Sequence, residues 1–163
     1  MQIGTGYEDL AHWLSSGKKA NAFVIHPPRL NSEKKIPAPP GEGFLGVYSS
    51  GSTGKPKLIW WNLKALHSNC SKYSNATGWT WATCFQPWSF AGVHLACQAH
   101  ISGGKVLSLG HDWQINHSIL QQDKPQALSV TPTFIDLLIQ SRKSSKSTDW
   151  SPRQISIGGE ILH

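Results

Sequence analysis

Cysteine is scarce in this 163-residue chain, and the three present, Cys70, Cys84 and Cys97, are an odd number without close spacing. That excludes a disulfide framework and a CxxC metal site, and it is the usage of a protein kept in a reducing compartment. Long apolar runs are absent as well. No stretch approaches the ~18 residues of a membrane span, and the opening MQIGTGYEDLAHW lacks a basic segment followed by an apolar one, so neither a span nor a secretory leader is expected. A cytoplasmic location follows as an expectation, and it makes the sequons at Asn69, Asn75 and Asn116 chance matches. Charge is thin: only 15% of residues are charged, and nine acidic against 15 basic side chains leave a net +6.

What is present is a core. Hydrophobic residues make up 39% of the chain, with eight tryptophans, which suits one globular domain burying roughly two-thirds of its unfolded surface. The basic residues gather at Lys18, Lys19, Arg29, Lys34 and Lys35 and again at Arg142, Lys143, Lys146 and Arg153, in polar stretches with the texture of solvated loops. The tryptophans scatter without interleaved basic residues, so a base-stacking surface is disfavoured. A basic nucleic-acid-binding module stays as the reading that steep salt dependence of oligonucleotide binding would favour.

Residues 27–43, PPRLNSEKKIPAPPGEG, are proline-rich and weakly apolar, and read as an exposed connection. Before it, YEDLAHWL suits a short helix, so residues 1–43 form a leading helix and linker, and residues 44–163 the domain proper. There FLGVYS and LIWW read as strands. Leu63, Leu66, Cys70 and Tyr73 share one helical face, with Asn62 to cap the start and Gly78 to end it. Strands WATCFQ, KVLSLG, ALSV and RQISI alternate with helices over 91–101, 115–122 and FIDLLIQ, the last begun by Thr131-Pro132. The alternation predicts an α/β layered domain with a mostly parallel sheet flanked by helices.

Between the first two of these strands lies YSSGSTGKPK, residues 48–57. Glycine lets backbone N–H groups approach a ligand, hydroxyls add donors and lysine adds charge, so the loop suits phosphate oxygens. It directly follows a strand, where ligands of such sheets bind. A Walker A loop is excluded, because Pro56 follows Gly54-Lys55 and Ser49 stands where the first glycine should. Gly41-x-Gly43-x-x-Gly46 precedes its strand instead of following it, so it is a loop entering a strand and not a dinucleotide fingerprint.

Ser49-Ser50-Gly51-Ser52-Thr53-Gly54-Lys55-Pro56-Lys57 closely resembles the phosphate loop of the adenylate-forming superfamily, which includes acyl-CoA synthetases, and fills its pattern Ser/Thr-Ser-Gly-Ser/Thr-Thr-Gly-x-Pro-Lys. The glycine that commonly follows is Leu58 here. Downstream, PWSFAG resembles the family's Pro-x-x-His motif with Phe90 in place of histidine, KVLSL its Gly-Ala-x-Val-x-Leu strand, VTPTFIDLLIQ its Val-Pro-Thr helix, and RQISIGGEIL the strand ending beside the adenylate. The resemblance covers roughly residues 43–162, a central piece of a longer fold, without the segments that in relatives stack on adenine, help hold magnesium and carry the hinged carboxyl-terminal domain with its catalytic lysine.

The resemblance implies an ATP-dependent, AMP-forming acid–thiol ligase using ATP, Mg2+ and coenzyme A, with a small carboxylic acid as substrate. It assigns the β- and γ-phosphates to Ser49, Ser50, Gly51, Ser52, Thr53, Gly54 and the catalytic Lys57, with Lys55 the weaker candidate. It places Phe90, Gly158, Gly159 and Glu160 around the acyl and adenylate pocket, and no protein metal ligand is assigned. Within the family, o-succinylbenzoate–CoA ligase of menaquinone synthesis is the branch indicated, being compact and often lacking the glycine after Pro-Lys. A non-catalytic remnant that at most binds nucleotide, or folds with itself or a partner chain, is the contrasting reading. His94, Cys97 and His100 lie three apart on one helical turn pattern, but lack a fourth ligand and read as core packing. His111, Asp112 and His117 read as polar surface.

Overall fold

The computed structural model describes residues 1–16, 22–28, 30, 36–49, 56–70, 75–144 and 150–159. Two four-stranded sheets enclose a central helix. Sheet A has the order β1 (Gln2–Gly4), β2 (Phe23–Ile25), β3 (Phe44–Tyr48) and β4 (Leu58–Asn62). The first three run parallel, and β4 returns antiparallel to β3 with Tyr48 opposite Leu58. Sheet B is wholly parallel, in the order β6 (Lys105–Ser108), β5 (Thr80–Thr83), β7 (Ala127–Val130) and β8 (Gln154–Ile157). This is the α/β architecture expected, rich in parallel pairs and flanked by helices.

The helices are α1 (Tyr7–Ser15), α2 (Leu63–Cys70), α3 (Phe90–Ile101), α4 (Trp113–Asp123) and α5 (Pro132–Ser144). α3 packs on α1 and α2 and against both sheets, which explains why it is apolar nearly all round. Val93, Ala96 and Cys97 join Leu10, Trp13 and Leu45 in one core, while Leu95 and Ala99 meet Trp81 and Ala127 of sheet B in another. On the opposite face of sheet B, Ala82, Leu128 and Val130 pack with Leu120, Phe134 and Leu138 of the outer helices. Successive residues of β7 thus serve different cores, as strand pleating requires.

Caps mark the boundaries. Asn62 Oδ1 accepts from the N–H groups of Lys64 and Ala65, and Thr131 Oγ1 from Phe134 N, so both expected caps form. Asp112, read from the sequence as polar surface, caps α4 by accepting from Gln114 N and Ile115 N. Gly78 does not close the second helix: α2 is described over Leu63–Cys70, and Gly78, at φ +70°, belongs to a turn just before β5. Tyr73 lies outside the described residues. β5 stops at Thr83, three residues earlier than read, because Thr83 Oγ1 accepts from Phe85 N and bends the chain out of the ladder.

The leading segment holds more than a helix and a connection. Its strands β1 and β2 extend sheet A beside β3, so residues before 43 share a sheet and a core with the remainder of the chain. The glycine-rich entry to β3 is structural, as read: Gly43 is left-handed at φ +69°, and a Cβ on Gly46 would stand 2.9 Å from the Trp60 ring.

Candidate functional site

Sheet B changes direction between β5 and β7. From β5 the chain crosses to β6 on one side, then returns to lay β7 on the other. Crossovers leave that junction in opposite directions, so a crevice opens beyond the carboxyl ends of β5 and β7, the place where such sheets bind ligands. A cavity of about 290 Å3 lies there, lined among others by Cys84, Gly110, His111, Thr131 and Thr133. Asn116, fully buried, clasps its rim: its Nδ2 donates to Gly110 O and its Oδ1 accepts from Gly110 N, both at 2.9 Å. His111 is therefore a crevice wall as well as a polar surface residue.

Gly159 enters the same region from β8. It sits at φ +84°, and a Cβ there would stand 2.9 Å from Cε1 of Phe85 and 3.8 Å from Thr131 Cγ2. A side chain would fill the space that the two glycines Gly158 and Gly159 leave at the strand ends. Glu160, expected beside them, lies outside the described residues. Phe90 begins α3, 43% exposed, with its ring 4.5 Å from that of Trp61 on β4 and 5.9 Å from His94.

The phosphate-type loop spans the β3–β4 hairpin. Ser49 N donates to Lys57 O at 2.8 Å, and Lys57 N donates to Ser49 Oγ at 3.3 Å. The first and last residues of the motif are thus paired at its neck, directly beyond the Tyr48–Leu58 pair. Lys57 is exposed, with no ion pair among the described residues. Ser50, Gly51, Ser52, Thr53, Gly54 and Lys55 lie outside the described residues.

Two contacts join the sheets at this end. The Tyr7 hydroxyl, just after β1, donates to Phe85 O just after β5 at 2.7 Å, and the Trp61 ring packs on that of Phe90. Burial, with Cys84 nearby, pushes the Tyr7 phenol well above its ordinary range, so it stays a donor. A Cβ on Gly92 would stand 2.2 Å from Gln86 O and 2.7 Å from the Tyr7 hydroxyl, so only glycine lets α3 start this close to the turn at 86–89.

The histidine and cysteine triplet of α3 does not converge. Cys97 is fully buried in the core, where burial pushes its thiol up to about 12, whereas His94 and His100 line two different cavities. Core packing thus holds for Cys97; His94 is a cavity wall. Among the described residues no group of three or more His, Cys, Asp or Glu is placed to hold a metal ion. The described residues therefore offer no protein cage for the Mg2+ that the resemblance implies. No helix among them is long and apolar enough to cross a membrane.

Comparison with known proteins agrees with this geometry. The family model of AMP-binding enzymes matches residues 7–163. The chain belongs to the AMP-binding enzyme family, and its fold is that of the adenylate-forming domain. Among solved structures, it resembles O-succinylbenzoate coenzyme A synthetase from Bacillus subtilis in complex with ATP and magnesium ion, with TM-score 0.68 at 12% identity over 99% of this chain and 57% of that one. The inhibitor-bound N-terminal domain of FACL13 from Mycobacterium tuberculosis gives TM-score 0.62 at 14% identity over 97% and 49%. ATP-bound MatB from Rhodopseudomonas palustris gives 0.57 at 21% over 71% and 24%. At these identities the likeness is one of fold, and the chain spans 24–57% of the length of these structures. No curated protein matches it.

Proposed function

We propose that this chain carries the phosphate grip and acid pocket of an ATP-dependent, AMP-forming acid–thiol ligase. The observation that carries the reading is the hairpin neck, where Ser49 and Lys57 close a loop of the family's phosphate-binding sequence. In the reaction, an oxygen of the acid's carboxylate attacks the α-phosphorus of ATP and pyrophosphate leaves with the electron pair of the broken P–O bond. The resulting acyl-adenylate is then attacked by the sulfur of coenzyme A, and AMP departs.

Negative charge shifts onto the leaving pyrophosphate, so fixed donors and a cation beside it lower the barrier, each donor by typically ~3 kcal/mol in comparable oxyanion sites. Lys57 N is already committed to Ser49 Oγ, which leaves its ammonium on a flexible stem as the group that reaches the phosphates. Gly159, lacking a side chain beside Phe85, and Gly158, with open space around it, leave room for the adenylate, and Phe90 walls the acid. Coenzyme A as acceptor, and a cytoplasmic setting, belong to the same reading.

For the acid itself, Leu58 after Pro56-Lys57 and the likeness in fold to the Bacillus enzyme point toward o-succinylbenzoate, whereas the uncharged lining of the pocket beside Phe90 points away from a second carboxylate, and the pocket chemistry is the more direct guide. Acid-dependent exchange of labelled pyrophosphate into ATP tests the reading. Exchange that needs an added carboxylic acid, and drops at least about tenfold in Lys57→Ala, is expected. A folded chain that binds Mg-ATP yet exchanges with no acid would place it with the non-catalytic remnants.

A further inference from the structure

Between α3 and the β7–β8 side of sheet B lies a second cavity of about 300 Å3. Phe90, His94 and Gln98 stand at four-residue intervals along one face of α3 and line it, spanning about 12 Å of helix. Ser129, Gln154 and Ser156 line it from the sheet, with Ser129 and Ser156 paired in register and Gln154 Nε2 donating to Ser156 Oγ at 3.2 Å. The remaining lining is apolar.

Gln98 supplies the amide of that lining. The residue is 8% exposed, its side-chain amide makes no hydrogen bond among the described residues, and its polar atoms keep their opening onto the cavity, free to meet a ligand. It faces the cavity, two helical turns from the half-open Phe90, so the pocket passes from an aromatic wall to an amide and hydroxyls. None of its lining residues is Asp, Glu, Lys or Arg. Burial holds the His94 imidazole below its ordinary range, which keeps that wall uncharged near neutral pH. A second carboxylate placed here would lose its water without gaining a cation.

We infer that this pocket selects a compact carboxylic acid whose far end carries an uncharged hydrogen-bonding group, with an aromatic hydroxy acid as the fitting class. The inference rests on the acid-activating reading and narrows it. A volume near 300 Å3 is at the small end of ligand pockets, enough for one ring and too short for a long alkyl chain. The ring lies against Phe90, and its hydroxyl meets Gln98 and Ser129. The same chemistry disfavours o-succinylbenzoate, which brings a second carboxylate.

Calorimetric titration of the full chain with 4-hydroxybenzoate, 4-methylbenzoate, o-succinylbenzoate and octanoate, each with and without Mg-ATP, tests this. The hydroxy acid is expected to bind about tenfold tighter than its methyl isostere, the gap one satisfied hydrogen bond produces. Gln98→Leu, close in volume, should bring the two within about twofold, and Ser129→Ala should narrow the gap, each variant checked by its melting curve. Should Gln98→Leu fail to fold, Ser129→Ala carries the comparison. Equal or tighter binding of the methyl acid, octanoate or o-succinylbenzoate, an unchanged gap in folded variants, or no acid binding at all would overturn the inference. Discrimination that persists in a chain unable to bind Mg-ATP would sink the ligase reading and leave the pocket standing; Mg-ATP binding without discrimination would do the reverse.

Discussion

Asn116 shows how much a single side chain sets at the crevice. Its amide ties both backbone groups of Gly110, six residues earlier, and so fixes the rim beside His111. Asn116→Leu is expected to cost about 1–2 kcal/mol, the loss of two hydrogen bonds at a partly solvated loop, read as a lowered melting temperature; an unchanged melt would show that the clasp is idle. From the sequence Asn116 stood out only as a chance sequon, and its full burial agrees with that. Its role was illegible because a clasp is defined by where Gly110 ends up and not by local pattern. The cysteines differ in the same way. Cys70 and Cys97 are buried, with thiols pushed up to about 11 and about 12, whereas Cys84 lines the crevice. A thiol raised above its unfolded value near about 8.5 stabilises the fold below that pH, and the contribution is lost as pH climbs toward the folded value. Mild alkylation at about pH 8 should therefore modify Cys84 first and spare the other two until alkali or heat opens the core. Peptide mapping reads this, and early labelling of Cys97 would contradict it.

At the scale of elements, the helices were the most legible. Leu63, Leu66 and Cys70 repeat at helical spacing, and Asn62, Thr131 and Pro132 announce starts through chemistry local to the chain. Sheet B was legible because each of its strands is a short apolar run between helices. β1 and β2 were not: three residues each, Phe23, Val24 and Ile25 all buried, they show no alternation, and only pairing with β3 makes them strands. The adjacent apolar residues Phe23-Val24-Ile25 were the one available signal. The end of β5 was harder to read: Thr83 Oγ1 turns the chain by accepting from Phe85 N, and the Tyr7 hydroxyl, 78 residues away, then takes up Phe85 O. That junction makes a prediction about α3. Gly92→Ala would press a Cβ into Gln86 O and the Tyr7 hydroxyl, costing about 1–3 kcal/mol as overpacking does. The melt should fall, and acid binding should weaken with it as Phe90 shifts. A melt as high as wild type would mean that the turn yields freely.

For the whole molecule, the exposed edge of sheet B matters most. Ile155 and Ile157 pair with Leu128 and Val130, so they continue the face that α5 covers, yet they are 49% and 52% exposed, and Ile139 on α5 is also exposed. An edge strand with an apolar face invites further pairing. Ile155→Lys with Ile157→Lys should reduce concentration-dependent association in sedimentation, and a wild-type chain that stays monomeric at high concentration would contradict the expectation. The candidate site was partly legible at this scale. The loop from Ser49 to Lys57 was visible as a motif, because nine consecutive residues carry it. The crevice at Cys84 and Thr131 needed the strand order, and the Gln98 pocket needed the helix to be laid against β7 and β8.

The central claim is that the β3–β4 hairpin grips nucleotide phosphates. Calorimetric titration of Mg-ATP into the wild-type chain and into Lys57→Ala tests it without any assumption about the acid. Binding by the wild type that weakens about tenfold or more in a variant with an unchanged melt is the predicted result. Absence of binding by a folded wild type, or equal binding by the two, would contradict it.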